Sequence, residues 1–158
     1  MVESLLWLYP WLKLTHIVLA IVAVGFNLSY AILIRRATAE PEHLGHVLRT
    51  VKVLDDRFAN PAYGLLFVVG LAMVFIGFPE ISDLWILLAI GLYLLLVIVG
   101  FAVYTPTLRR QIAAVESVGP SSEEYREVAA RGNRVGALLG VVVFVIIALM
   151  VLKPTLPG

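Results

Sequence analysis

The chain has 158 residues, of which 61% are hydrophobic and 15% charged, with a formal net charge of +1. Soluble domains run at roughly 45–50% apolar and about 25% charged residues, so a water-soluble globule of this length is excluded. There is no cysteine, which rules out disulfides, thiolate metal sites, iron–sulfur clusters and covalently attached haem.

The opening Met-Val-Glu-Ser has no basic stretch, and no small-residue cleavage site comes after the first apolar run. That run is therefore expected to stay in the mature chain. Four apolar segments occur in order, at about 11–34, 61–78, 84–108 and 135–152, and none carries an acidic residue. Each is near the ~20 residues that span a hydrocarbon core of about 30 Å. Only helices and closed barrels satisfy every backbone group in lipid, and these unbroken runs lack the alternation of barrel strands. The expected fold is all-α, a polytopic four-transmembrane-helix bundle in a lipid bilayer, with residues 1–158 as one domain.

Ten of the twelve basic residues fall in two connections, at about 35–60 and 109–134. The positive-inside rule makes these cytoplasmic and puts both termini outside, which in a bacterium means the inner membrane. Trp7, Tyr9, Trp11 and Trp85, with the Pro79–Asp83 turn, then lie at the outer face, where aromatic residues suit an interfacial belt. In the first connection Leu44, Val47, Leu48, Val51 and Leu54 recur at helical spacing, so an amphipathic helix is expected over 41–58. Asn60-Pro61 is expected to kink or break it, and Pro106 to kink the third segment. In the second connection Gly119-Pro120 marks a turn, and Ser121 with Glu124 reads as a capping box. Tyr30 stands five residues before Arg35-Arg36, and Tyr104 five before Arg109-Arg110. Either two duplicated hairpins or shared flanking composition accounts for that repeat.

His16 is the one histidine inside an apolar segment. An ionisable residue at membrane depth is a functional candidate by default. Neutral imidazole ligates haem iron or copper or relays protons; a hydrogen bond to another helix or snorkelling is the structural alternative. Met73 and Met150 fall at the same depth by residue counting, and His with Met suits b-type haem or a copper ion. Lys13 shares the His16 face and would either neutralise an anion or anchor at the interface. Asn27, Ser29, Tyr30, Asn60, Tyr63, Tyr104, Thr105 and Thr107 form a polar layer near the cytoplasmic side, lining a small cavity or joining helices. Gly132, Gly136 and Gly140 recur every four residues and allow close helix approach, within the bundle or across a homodimer. His43 and His46 lack a third ligand at fixed spacing, and Asp55-Asp56 reads as ordinary helix charge. No phosphate loop, nucleophile motif or dinucleotide fingerprint occurs. The basic connections fit a membrane surface and need no nucleic acid.

The run Trp11-Leu-Lys13-Leu-Thr-His16-Ile, with Gly25, Tyr30 and Arg35-Arg36 after it, resembles the first helix of two membrane families. One is the HemJ-type protoporphyrinogen oxidase, whose equivalent Trp-x-Lys-x-x-His carries a haem-associated histidine; the other is the copper resistance D group. Over nearly its whole length the chain also resembles a bacterial family of predicted integral membrane proteins, domain of unknown function 2269. Shared features are the opening helix, Asn60-Pro61 and the terminal Met150-Val-Leu-Lys153-Pro154. The resemblance to the oxidase implies haem association for His16 alone. The oxidase lysine within a later helix has no counterpart in the third segment here, and Ala23 and Val24 replace its bulky aromatic. A haem-associated redox or porphyrin-handling protein is the leading expectation. A cofactor-free carrier or scaffold and an outer-leaflet copper-handling protein are the others.

Overall fold

The computed structural model describes residues 3–77 and 83–154, so Phe78 and most of the Pro79–Asp83 turn lie outside the described residues. A 3-10 stretch (Glu3–Leu8) leads into α1 (Tyr9–Ala37), which Pro10 starts well because its missing N–H falls in the first turn. α1 ends on Arg35 and Arg36, cations set against the negative end of the helix dipole. After a short turn, α2 (Pro41–Leu54), a π turn (Asp55–Ala59) and α3 (Asn60–Gly77) form one unbroken rod. A second rod consists of α4 (Leu84–Val99), a π turn (Gly100–Tyr104) and α5 (Thr105–Ser117). The last is α6 (Glu123–Leu152). Among the described residues there is no strand, and all four rods are long and apolar enough to cross a membrane. The all-α four-helix membrane bundle expected from hydropathy is the fold.

Two local expectations need correction, the break at Asn60-Pro61 and the cap of α6. Pro61 does not break its helix. The chain widens by one residue in the turn before it, where the Asn60 N–H bonds the Asp55 carbonyl five residues back. The same device precedes Pro106, where the Thr105 N–H bonds the Gly100 carbonyl. A proline removes one backbone donor and crowds the carbonyl four residues earlier; the wide turn relieves that crowding and the helix continues. The second correction concerns α6. Its cap is Ser122, in extended geometry, whose Oγ accepts the Tyr125 N–H at 3.2 Å. Ser121 lies one residue too early, because Gly119, at φ +93°, and Pro120 occupy the turn.

The rods pair as two hairpins, α1 along α3 and α4 along α6, with lighter contact between α1 and α6. Among the described residues α3 and α4 meet only through side chains. That pairing suits a duplicated hairpin, but the π turns sit on the second and third rods and so do not obey the repeat. The tight core lies at the arginine-bearing end. There α2, α5 and the start of α6 close around the end of α1, burying Tyr30, Leu44, Leu48, Val51, Leu108 and Tyr125. Arg49 and Glu116 tie α2 to α5 at 2.7 Å, an exposed pair worth ~0–1 kcal/mol. Elsewhere the apolar side chains face outward: Phe144 is 71% and Val151 73% exposed. Water would penalise that surface, whereas lipid tails are as apolar as the side chains themselves.

In the glycine stripe on α6, Gly132 is used inside the chain. A Cβ on Gly132 would collide with the Gln111 amide, and one on Gly136 would touch the Tyr104 ring at 3.8 Å. Gly132 is buried and therefore unavailable to a second copy; nothing lies within 4 Å of a Cβ on Gly140.

Ser122→Ala should lower stability by about 1 kcal/mol, because the first turn of α6 loses its cap. Ser121→Ala should change it by less than half as much. Thermal melting in one detergent compares the two.

An apolar cavity between the hairpins

Because α3 and α4 stand apart, a partly open cavity of about 660 Å³ lies between the two hairpins. Its walls come from all four transmembrane helices: Ala20 and Val24 on α1, Leu66 and Phe67 on α3, Ile86 and Ala89 on α4, Val143 and Ile146 on α6. The lining is almost wholly apolar, and the exceptions fall at definite levels.

His16 lies on the wall, packed against α3 where Gly70 makes room. A Cβ there would come within 3.0 Å of the imidazole Cε1. The ring sits beside the Leu66 carbonyl, yet its Nδ1 is buried and makes no hydrogen bond of ordinary geometry. Met73 on α3 and Met150 on α6 line the same cavity. The three residues placed at one depth by counting along the sequence are thus brought to one space. His16 and Met73 belong to one hairpin and Met150 to the other. Lys13, one turn earlier on α1, is not part of the wall.

The floor is a knot of tyrosines. The Asn27 amide donates to the Tyr63 hydroxyl at 2.8 Å and to the Ala23 carbonyl at 3.0 Å. The Tyr93 hydroxyl donates to the Tyr63 backbone carbonyl, and its ring stacks on Phe67 with centroids 5.3 Å apart. These contacts hold α3 to α4 across the gap. At the far end Trp85 is buried against the cavity, and the Lys153 ammonium lies 5.5 Å from its ring centroid. Trp85 is therefore a cavity wall and not a member of an outer belt, whereas Trp7 and Trp11 stay largely exposed.

The rest of the expected polar layer divides. Ser29 and Thr107 donate to carbonyls of their own helices, Gly25 and Val103. Asn60 donates to the Asp55 carboxylate at 3.2 Å. Tyr104 packs against the core at the arginine-bearing end. Among the described residues no group of three His, Cys, Asp or Glu could hold a metal ion, and His43 and His46 start no such site. Two residues carry more than their sequence setting announces. Tyr93 stands in an otherwise apolar run, and Asp55 is 5% exposed although it reads as surface charge. Asp55 had a signal: it continues the 4-3-4 spacing of Leu44, Leu48 and Val51 on the buried face of its helix.

The profile of a family described as predicted integral membrane protein, DUF2269, matches residues 10–154. The chain belongs to that family. No curated protein and no solved structure matches it. Membership agrees with the four apolar rods and brings no activity with it.

Tyr93→Phe keeps the stacked ring and removes one interhelical hydrogen bond. Such bonds in membrane bundles average about 0.6 kcal/mol, and a stability loss near that size is expected in a denaturant titration in micelles. Phe67→Ala, which also removes the stacked ring, should cost more.

Proposed function

We propose that this chain binds haem b, or a related flat porphyrin, in the cavity between its hairpins, with His16 as axial ligand, and serves membrane redox or porphyrin handling. The observation that supports the reading most is the convergence of His16, Met73 and Met150 on one apolar space. A porphyrin face needs apolar walls, and its iron needs a neutral nitrogen or a thioether. The cavity volume falls within the ~300–1,000 Å³ range of small-molecule sites. The imidazole Nδ1 makes no hydrogen bond of ordinary geometry, which leaves the ring free to act as a ligand. Met150, across the gap from His16, is the preferred second ligand; Met73 shares the His16 wall. Lys13, one turn beyond the cavity, suits a propionate at the membrane surface. When bound, the iron would supply one-electron chemistry, and the chain would supply ligation, an apolar setting and exclusion of water.

In this reading the arginine-bearing end faces the cytoplasm of a bacterium and both termini face outward. A cofactor-free carrier of apolar molecules is the second reading, favoured by the near absence of polar groups on the cavity wall. Copper held by His16 and the methionines is a third, since thioethers suit the cuprous ion.

Protein expressed with haem supply and purified in detergent should show a Soret band, and His16→Ala should abolish it. Ala89→Phe, which fills the cavity, should abolish the band as well. An apolar fluorescent probe bound by wild type and His16→Ala but not by Ala89→Phe, with no Soret band in any of them, would favour the carrier, and copper without porphyrin on elemental analysis would favour the third reading. A wild-type protein that stays colourless with excess haem sinks the proposal.

A further inference from the structure

Asp55 sits in the π turn at the arginine-bearing end, below the cavity floor, and is 5% exposed. Among the described residues its polar side-chain contact is the Asn60 amide at 3.2 Å. Lys52, the cation that acts on Asp55, is engaged elsewhere: its ammonium pairs with Asp56, which is half exposed. Among the described residues no lysine, arginine or histidine forms an ion pair with Asp55. The charged groups that act on it are Asp56, which disfavours a second negative charge, and Lys52.

The other titratable groups coupled electrostatically to Asp55 are tyrosine hydroxyls. Tyr30 from α1, Tyr63 from α3 and Tyr104 from the second π turn all lie within electrostatic reach of the carboxylate. Tyr30 is 1% exposed and its hydroxyl has no hydrogen-bond partner among the described residues. Taking a carboxylate out of water costs several kcal/mol unless a cation accompanies it. One amide donor and a set of neutral phenols do not supply that charge. A buried acid in this position is neutralised by a proton or a bound cation. Among the described residues no group of three His, Cys, Asp or Glu gathers there to hold a metal ion, which favours the proton.

We propose that Asp55 is a proton-binding site of the bundle, holding its proton in the resting protein on the arginine-bearing side of the cavity. Tyr63 lines the cavity and feels the charge of Asp55 electrostatically. Its hydroxyl accepts from Asn27, which leaves its own proton free to be donated. A change of charge inside the cavity would thus meet an acid on the arginine-bearing side, with release written simply as the carboxylic acid going to carboxylate plus a proton. The site does not depend on what fills the cavity, so it stands or falls separately from haem binding.

The chain has three aspartates, Asp55, Asp56 and Asp83. Wild-type protein carrying carboxyl-labelled aspartate, in lipid nanodiscs at neutral pH, gives one carbon resonance or infrared band for each. Two should report carboxylate and one a protonated acid, and Asp55→Asn should remove the protonated signal. Tyr63→Phe should shift that signal without abolishing it. The protonated signal should be unchanged when sodium replaces choline as the buffer cation. Three ionised aspartates at neutral pH, or a protonated signal that sodium removes, overturns the assignment. The wild-type measurement decides the matter even if Asp55→Asn fails to fold.

Discussion

Hydrocarbon offers no partner to a backbone amide, and this constraint organises the whole chain. It forbids ends and breaks at membrane depth, so the turns fall at the two faces and the rods between them run on. It also explains the backbone at Pro61 and Pro106. A broken helix at either place would leave carbonyls unpaired near the interface, whereas a π turn keeps the ladder closed with one residue to spare. The extra residue is not silent. It rotates α3 about its axis relative to α2, and α5 relative to α4. Ahead of the first π turn, the regular spacing of Leu44, Leu48 and Val51 on α2 carries on to Asp55, which is therefore buried just before α3 begins.

Packing is distributed unevenly along the bundle axis. At the arginine-bearing end, three helical segments besides α1 share one core, and side chains such as Leu48 and Val51 are fully buried. Water surrounds that end, so burial there carries the usual hydrophobic gain of about 1.5–3 kcal/mol for a large aliphatic side chain. Within the membrane the same gain is absent, because lipid already accepts the side chains, and helices associate through shape and a few hydrogen bonds. Glycines take that role at Gly70 against His16 and at Gly77 against the Tyr9 ring. Where no such fit exists, as between α3 and α4, a cavity remains open, spanned by Tyr93 and its contacts with Tyr63 and Phe67.

The parts of this architecture that hydropathy dictates are legible in the sequence, and the parts that side-chain fit dictates are not. Four apolar runs and two arginine clusters lead directly to four rods and one polar end. Counting residues by depth puts His16, Met73 and Met150 in one slab, because the rise per residue is constant in a helix. Rotation about the axis is not fixed by counting, so an outer-belt position and a cavity wall are indistinguishable for Trp85 until the helices are packed. The glycines of α6 likewise announce close approach but not which neighbour approaches, and that neighbour is Gln111 of the same chain. A proline in the sequence signals a break, and nothing beside it marks the wide turn that compensates. The α6 cap differs by one residue from the capping-box pattern, because the turn at Gly119-Pro120 sets where the helix can begin.

Two ionisable side chains lie in low-dielectric surroundings without an ion pair among the described residues, and their settings differ in a way that bears on function. His16 faces a loosely filled space, beside a glycine, with an unsatisfied ring nitrogen. Asp55 lies in the most tightly packed region, among large buried side chains and tyrosine hydroxyls. A neutral imidazole has a lone pair to offer, and what it ligates needs volume, which the cavity provides. A neutral carboxylic acid has a proton to offer, and a proton needs no volume at all. Room is available where the ligating group stands and is lacking where the acid stands, with Tyr63 on the boundary between them. A buried acid beneath an apolar cavity is the arrangement expected where charge entering the cavity is to be met by a proton from the polar side, and it would be a costly accident in a bundle held together only by fit.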